Sequence, residues 1–312
     1  AQGGVSNQSY EREDRYKPAK SEKTSKTGYN LKGGVSLTMA EGNTIFFNAG
    51  YNSRQPYLDN IFNRNTGFIT ELVSPAVENE KITSFEAGYH FKTNNFRANF
   101  NAYVTNWTDR TLSSFGTDDN GTPDDDQDDF DTTTLQRGIT QYHSGAELDV
   151  RYRATDWLSF QGFISAGSWT YKGEAVVSTY NADTNEQIGE TSTVNRDGIK
   201  VSTAPQFTTG IGFDAKIASG LSIDARIKYN DNHYEFTNEN TSKEDYTGAQ
   251  LGSYALTNAG ITYRFSLGNS NRMTFRANMF NVFDKVAIQQ TDRFGYFTTG
   301  GRTFNASMRY EF

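Results

Sequence analysis

Residues 302–312 read Arg-Thr-Phe-Asn-Ala-Ser-Met-Arg-Tyr-Glu-Phe and alternate polar and apolar side chains up to the final aromatic residue. In an extended strand successive side chains point to opposite faces, so the apolar side chains share one face. These are Phe304, Ala306, Met308, Tyr310 and Phe312. In a transmembrane β-barrel one face of each strand meets lipid and the other meets water or a plug. The segment therefore predicts a closing strand of a membrane β-barrel.

The same period of two recurs upstream and predicts an all-β chain. Twelve strands are expected, at residues 1–10, 28–40, 44–52, 82–93, 95–107, 140–153, 157–171, 201–217, 221–234, 252–265, 272–283 and 302–312. Their polar faces carry charges, which a wet or plugged lumen tolerates and a dry core does not. No segment carries a 3.6-residue apolar stripe over several turns, so helices are not expected.

Short and long connections alternate strictly between these strands. The short ones are residues 41–43, 94, 155–156, 219–220 and 268–271. The long ones are residues 11–27, 53–81, 108–139, 172–200, 235–251 and 284–301. Outer-membrane barrels have short periplasmic turns at one end and long extracellular loops at the other. The pattern predicts an antiparallel transmembrane β-barrel in the bacterial outer membrane, with a periplasmic C-terminus and extracellular long loops.

Composition narrows the function classes. Only 35% of the 312 residues are hydrophobic and no run of about 18 apolar residues exists, so no transmembrane helix is expected. The aromatic content of 14% suits the aromatic girdles of a barrel. The net charge of -7 argues against a nucleic-acid partner. The absence of cysteine excludes disulfides and cysteine nucleophiles.

Four segments follow one another in a fixed order along the chain. They are Tyr-Asn-Ser-Arg-Gln-Pro at 51–56, Phe-Glu-Ala-Gly-Tyr at 85–89 with the hairpin strand at 98–109, Phe-Asn-Val-Phe-Asp-Lys at 280–285, and 300–312 from Gly-Gly-Arg-Thr-Phe to the end. In this order they resemble the C-terminal barrel portion of TonB-dependent outer-membrane receptors of the kind common in Bacteroidetes. The resemblance implies a 22-stranded barrel with an N-terminal plug inside it. It also implies energy from the inner-membrane proton gradient through the TonB–ExbB–ExbD complex. Because no plug-like segment is visible, residues 1–312 are expected to be the C-terminal portion of a larger receptor.

The resemblance implies import of a scarce nutrient, such as a siderophore, an oligosaccharide or a peptide, and no enzymatic activity. Two other interpretations stay open: a self-contained 12-stranded passive channel, and a barrel scaffold that displays its loops to a partner. The expected partners are outer-membrane lipid, the barrel-assembly machinery, the ligand and, for a glycan or peptide importer, a surface lipoprotein.

Candidate ligand-binding residues follow the strand at 44–52. Arg54, Gln55, Tyr57 and Asn60 would lie at the extracellular mouth. Aromatic and amide groups there could stack on and hydrogen-bond a glycan or siderophore, and the arginine could pair with a carboxylate. The alternative is a loop anchor that packs against neighbouring loops.

An acidic loop is the candidate metal site. Residues 118–131 contain eight aspartates. Since Ca²⁺ takes six to eight oxygen ligands, closely spaced carboxylates in a turn can supply them. The candidate ligands are Asp118, Asn120, Asp124, Asp126 and Asp128. The alternative is a solvated loop kept open by repulsion between like charges. No other cofactor is expected.

The chain ends on Tyr310 and Phe312, two apolar-face aromatics of the last strand. On the family resemblance, such a terminal strand is a signal for the barrel-assembly machinery, read by edge-to-edge strand pairing. The simpler interpretation is a pair of girdle aromatics, and the two are compatible.

Overall fold

The computed structural model describes residues 1–16, 19–65, 67–124, 126–202, 204–237, 241–268, 271–292 and 294–312. Within them lie eighteen β-strands and one short helix. The strands are β1 (Gln2–Tyr10), β2 (Glu13–Asp14), β3 (Ala19–Lys20), β4 (Thr24–Ala40), β5 (Asn43–Arg54), β6 (Glu80–Lys92), β7 (Phe96–Asp118), β8 (Phe130–Arg153), β9 (Leu158–Lys172), β10 (Glu174–Asn181), β11 (Gln187–Asn195), β12 (Phe207–Ala218), β13 (Leu221–Asp231), β14 (Tyr254–Leu267), β15 (Asn271–Phe280), β16 (Ile288–Asp292), β17 (Gly295–Thr298) and β18 (Thr303–Glu311). The helix, α1 (Leu58–Ile61), is a single turn.

Twelve of these strands form one antiparallel wall. Their order is β1-β4-β5-β6-β7-β8-β9-β12-β13-β14-β15-β18, so each wall strand lies beside the next one along the chain. All twelve correspond to strands expected from the sequence, and the all-β antiparallel prediction is confirmed. Part of the expected strand 201–217 and of the short connection 268–271 lies outside the described residues, at Thr203, Asn269 and Ser270.

The register puts apolar side chains opposite one another across the wall. One row joins Leu37, Ile45, Tyr89, Phe100 and Leu148 on five consecutive strands. This apolar face is exposed rather than packed on a core; for example, Leu37 is 60% and Met308 72% exposed. The opposite face carries the polar and charged side chains. A β-barrel wall in a membrane has this arrangement, with apolar side chains facing the lipid outside and polar side chains facing the interior.

The two ends of the wall differ in the length of their connections. At one end, which we call the turn end, the pairs β4–β5, β6–β7, β8–β9 and β12–β13 are joined through two to four residues, which confirms the expected short connections. The opposite end, which we call the loop end, carries the long connections. The most fully buried apolar side chains lie there, among them Phe62, Ile139 and Ile199. Within the described residues, no helix is long and apolar enough to span a membrane.

Several expected loops contain additional strands. Residues 108–139 were expected as one loop, but β7 extends to Asp118 and β8 begins at Phe130. The expected loops at 11–27, 172–200 and 284–301 hold the hairpins β2–β3, β10–β11 and β16–β17. These predictions were wrong because strands beyond the wall need no lipid face. Their β-branched residues, such as Thr132, Thr133 and Thr134, favour strands without apolar alternation.

The extensions of β7 and β8 form a flap with β10 and β11, at residues 108–118, 130–137, 174–181 and 187–195. Strand β8 pairs with β9 along the wall and with β10 in the flap. Asp109, Gly138 and Gly173 all have positive φ angles at the level where wall and flap meet. The β7–β8 register also shifts twice there, between Trp107 and Leu112. Three adjacent strands are therefore irregular along one line, which we call the hinge line.

The wall is open. Within the described residues, β1 pairs only with β4 and β18 only with β15. The two end strands do not pair with each other, so the closed 12-stranded barrel of the passive-channel interpretation is not formed. The expected 22-stranded barrel stays a prediction.

Replacing Gly138 and Gly173 together with alanine should loosen the flap and leave the wall intact. A side chain at positive φ costs about 1–2 kcal/mol per residue. We expect faster amide hydrogen exchange in 130–137 and 174–181, with an unchanged heat-induced gel-mobility shift of the whole barrel. Gly33→Ala is the control, because a side chain at Gly33 meets open space. Equal exchange in both variants would contradict the hinge line.

Candidate functional site at the loop end

A charged and aromatic cluster joins β5, β6 and β7 at the loop end. Arg54 and Glu80 lie directly opposite each other, and their Nη2 and Oε2 atoms are 2.6 Å apart. Trp107 donates its indole N–H to the same carboxylate oxygen at 3.0 Å. The Glu80 side chain is only 8% exposed, so these contacts compensate the loss of water around its charge.

Cations also stack on the aromatic rings of this cluster. The guanidinium carbon of Arg54 lies 5.1 Å from the Trp107 ring centroid and 4.8 Å from that of Tyr57. Arg110 approaches the Trp107 ring at 4.3 Å. Such cation–π contacts contribute about 0.5–2 kcal/mol each, depending on how dry they are. The cluster therefore fixes where the loop after β5 leaves the wall.

The four residues expected at the mouth do lie at the loop end, but three are used internally. Gln55 donates to the Ser6 carbonyl at 3.0 Å and to its hydroxyl at 2.7 Å. Asn60 donates to the Thr111 carbonyl at 3.3 Å. With the Arg54 ion pair, these contacts fit the loop-anchor alternative. Tyr57 is 64% exposed and keeps free surface, and ligand contact by the four residues stays a prediction.

Sequence reasoning missed a hydrogen-bonded cluster that connects the same loop to the flap. It consists of Asn63, Asn65, Thr133 and Asn185, and we call it the amide latch. Asn185 Oδ1 accepts from Asn65 Nδ2 at 3.0 Å and from Asn63 Nδ2 at 2.5 Å. Thr133 donates its hydroxyl to Asn65 Oδ1 at 2.5 Å. Asn65 is almost fully buried although it is polar. The two contacts of Asn185 span more than 100 residues and the Thr133 contact spans 68, and a lone asparagine carries no signal of such partners.

A depression of about 240 Å³ opens beside the latch. Its lining combines amide, hydroxyl, carboxylate and phenol groups, from Asn63, Glu71, Ser113, Tyr180 and Asn185. These groups can donate and accept hydrogen bonds to a neutral polar ligand. The guanidinium of Arg64 stacks nearby on the Phe115 ring at 4.7 Å.

The acidic loop is held by its own hydrogen bonds. Asp128 accepts from the Thr122 hydroxyl at 2.7 Å and from the Asn120 amide at 3.1 Å. These two bonds lower the pKa of the Asp128 carboxyl below its usual value. Asp118 accepts from the Asn120 backbone N–H at 2.9 Å.

The structure gathers part of the expected calcium set and leaves the rest in solvent. Asp118, Asn120 and Asp128 are linked through Asn120, whereas Asp124 and Asp126 are exposed. Asp125, in the same loop, lies outside the described residues. Within the described part of the chain, no three His, Cys, Asp or Glu residues are grouped closely enough to hold a metal ion. Calcium binding stays a prediction.

The C-terminal strand presents its aromatics at the free edge of the wall. Phe312 is 96% exposed, and its ring centroid lies 6.0 Å from that of Tyr310. Among the residues that the structure describes, β18 pairs on one side only, with β15, so its other side is available to an edge-to-edge partner. The role of Tyr310 and Phe312 in assembly stays a prediction.

Sequence comparison gives the family. A family model described as "TonB dependent receptor-like, beta-barrel" matches residues 1–282. The chain belongs to this family. The Bacteroidetes type expected from the motifs is not tested by the match. No curated protein matches the chain in sequence.

Solved receptors share the fold of this family barrel at low sequence identity. The ferric-catecholate import receptor Fiu from E. coli K12 is 16% identical with a TM-score of 0.61, over 94% of this chain and 36% of Fiu. The siderophore receptor PiuA from Acinetobacter baumannii is 15% identical with a TM-score of 0.62, over 94% of this chain and 37% of PiuA. The ferric yersiniabactin uptake receptor FyuA from Yersinia pestis is 14% identical with a TM-score of 0.61, over 99% of this chain and 42% of FyuA. The chain therefore spans about two fifths of the length of these receptors.

Replacing Glu80 with glutamine should loosen the loop at 55–79. The change leaves the Arg54 guanidinium without its partner and costs about 1–3 kcal/mol locally. We expect faster protease cleavage within 55–79 of the folded receptor barrel. Glu78→Gln is the control, since Glu78 is exposed and next to the same strand. Cleavage at the same rate in both variants would show that the ion pair does not hold the loop.

Millimolar Ca²⁺ should protect residues 118–131 from proteolysis if the acidic loop binds calcium. The cation would neutralise the clustered carboxylates and order the turn. Replacing Asp124, Asp126 and Asp128 with asparagine should abolish the protection, and Mg²⁺ at the same concentration is the ionic control. Cleavage that is identical with and without Ca²⁺ would exclude the site.

Proposed function

We propose that residues 1–312 are the C-terminal barrel portion of a TonB-dependent outer-membrane receptor that imports a scarce nutrient. The observation that carries the proposal is the wall itself: twelve antiparallel strands with an exposed apolar face and a polar face, in a chain of the TonB-dependent receptor family. Receptors of similar fold include importers of ferric siderophores, so a ferric siderophore is the first ligand to test. Oligosaccharides and peptides are the next classes.

The mechanism assigns the two ends of the wall to the two sides of the membrane. The loop end faces the medium, and the turn end with the C-terminus faces the periplasm. The loops capture the ligand, and TonB, driven by ExbB and ExbD, pulls on a plug inside the barrel to open a path. The plug and the ten further strands of a 22-stranded barrel belong to the part of the receptor that precedes this chain. The receptor has no catalytic role.

The anchored loop at 55–79 supports a capture role at the mouth. The Arg54–Glu80–Trp107 cluster and the amide latch hold both sides of this loop to strands. A loop held in one conformation loses less entropy when a ligand binds. Tyr57 presents an exposed ring from this loop, and an aromatic face can stack on the planar groups of a siderophore or on a sugar.

A passive channel requires a closed wall. In lipid, the free edges of β1 and β18 would leave rows of backbone N–H and C=O groups without partners. Closure through additional strands fits the receptor proposal. A partner lipoprotein that covers the loops would apply to an oligosaccharide or peptide importer.

The uptake of radiolabelled iron as a ferric siderophore tests the proposal in cells that carry only this receptor. We expect uptake to stop when a protonophore collapses the proton gradient or when TonB is deleted. Tyr57→Ala should weaken ligand binding about tenfold through the lost stacking contact. Tyr16→Ala is the control, because Tyr16 is also exposed, at 98% against 64% for Tyr57, and lies on another loop. Flux that persists without TonB would instead support the passive channel.

A further inference from the structure

The depression beside the amide latch lies between two parts of the chain that are far apart in sequence. The loop after β5 contributes residues 62–65 and 71–74 to its lining. The flap and its β10–β11 turn contribute Ser113, Thr133, Leu135, Tyr180 and Asn185. An occupant of the depression therefore contacts the loop and the flap at the same time.

The volume of the depression limits the size of its occupant. It is about 240 Å³, below the about 300–1,000 Å³ of pockets that take drug-sized ligands. At about 30 Å³ per water molecule, this space equals about eight waters. A single pyranose ring with its hydroxyl groups is of this size, whereas a ferric siderophore, with several chelating arms around one iron ion, is larger.

The charges of the lining balance. Among its described residues there is one carboxylate, that of Glu71, and one guanidinium, that of Arg64. The Arg64 guanidinium also lies over the Phe115 ring, 4.7 Å from its centroid. Since a ligand with a net charge would be repelled by one of the two groups, the lining favours a neutral ligand.

Free hydrogen-bonding groups of both kinds belong to the lining residues. Within the described residues, the Glu71 carboxylate, the Ser113 hydroxyl and the Asn185 Nδ2 group have no hydrogen-bond partner. Glu71 supplies only acceptors, the Asn185 amide nitrogen supplies only donors, and Ser113 supplies both. The other end of the Asn185 amide, Oδ1, is already used by the latch. The depression therefore matches a ligand that donates on the loop side and accepts on the flap side.

Hydroxyl groups on a ring meet this requirement. Each hydroxyl has one donor and two acceptor sites, so hydroxyls of one ring can donate to Glu71 and accept from Asn185. A sugar ring carries such hydroxyls around its rim and can contact the loop on one side and the flap on the other. Leu72, Val73 and Leu135 add an apolar surface for the C–H groups of the ring.

We propose that the depression binds one neutral sugar ring of a glycan, and that this ring fastens the flap to the loop after β5. Glu71 accepts from its hydroxyls on the loop side, while Ser113 and Asn185 bind it on the flap side. This site rests on the proposed function, because it requires a loop end that faces the medium. Since the amide latch already holds the two sides together, little ordering is needed when the ring binds.

Amide hydrogen exchange of the purified, intact receptor tests the proposal, with glucose, galactose, mannose and N-acetylglucosamine as probes. A single ring with a few hydrogen bonds should bind with a Kd of about 1–10 mM, so each probe is titrated to about 100 mM. We expect at least one sugar to slow the exchange of residues 67–74 and 180–186, about tenfold at about ten times its Kd. Mannitol is the control, because it has similar hydroxyls and a similar effect on the solvent but no ring.

Side-chain variants separate a specific site from a general effect of sugar. Glu71→Gln should raise the sugar concentration that gives half of the protection about tenfold, because a charge-assisted hydrogen bond is lost. Ser113→Ala should raise it from the flap side. Glu186→Gln is the matched control, because it removes a charge next to Asn185 but lies outside the lining. Without sugar, all three variants should exchange like the unmodified receptor, since none of the changed residues belongs to the amide latch.

A glycan in the medium and the polysaccharide of the cell surface can both present a sugar ring. Outer membranes from cells with and without surface polysaccharide distinguish these sources. Slow exchange at 180–186 before any sugar is added, found only in membranes with polysaccharide, identifies the surface glycan. Slow exchange that requires an added sugar in both membranes identifies a soluble glycan.

Three results would overturn the proposal. They are no protection by any of the four sugars, equal protection by mannitol, and equal half-protection concentrations in Glu71→Gln and Glu186→Gln. If the Glu71 variant fails to fold, the comparison of Ser113→Ala with Glu186→Gln decides in its place. The exchange measurement needs neither TonB nor a proton gradient, so its failure is distinct from a failure of import. Iron uptake that depends on TonB, together with no protection by sugars, would overturn the sugar site alone.

Discussion

The structure depends on one constraint: backbone polar groups of a wall strand must be paired with its neighbours, because a hydrocarbon surrounding offers them no other partner. The unbroken antiparallel ladder from β1 to β18 meets this requirement at every interior strand. Since the side-chain period is two, fixing the ladder also fixes which residues face outward. A slip of one residue would turn Leu37, Ile45 and Phe100 onto the polar face. Register and surface chemistry are therefore set together.

Charge is handled differently on the two faces and at the two ends. The side chains of the apolar face are exposed to the surroundings of the wall. The charged side chains therefore lie on the polar face and in the loops. At the loop end, Glu80 is buried because Arg54 and Trp107 both satisfy it. On the polar face, Arg276 and Asp224 pair across two strands. Lys92, Arg97 and Arg151 depart from this rule, because they lie directly opposite one another on three neighbouring strands and form no ion pair within the described residues.

The sequence predicted the twelve wall strands because a lipid-facing strand must alternate, and alternation is visible in one dimension. It also predicted the short connections, because two neighbouring antiparallel strands that end at the same level are joined by a short turn. The flap escaped prediction because its strands, rich in threonine and serine, are covered by another loop rather than by lipid. The amide latch escaped for a related reason: Asn65 and Asn185 meet only after two long connections have folded. Arg54 and Gln55 lie at the loop end, and their internal contacts could not be predicted because they depend on partners on other strands.

The hinge line also has a mechanical consequence. Asp109, Gly138 and Gly173 interrupt three neighbouring strands at one height, while hydrogen bonds within the flap continue unbroken from β8 to β10. Bending is cheapest where the ladder is weakest, so deflection concentrates along this line. A bend along this line would move the flap as one plate, and the latch through Asn185 would carry the loop after β5 with it. Loops that are distant in sequence would then share a single degree of freedom, so a force applied to one would be transmitted to the other.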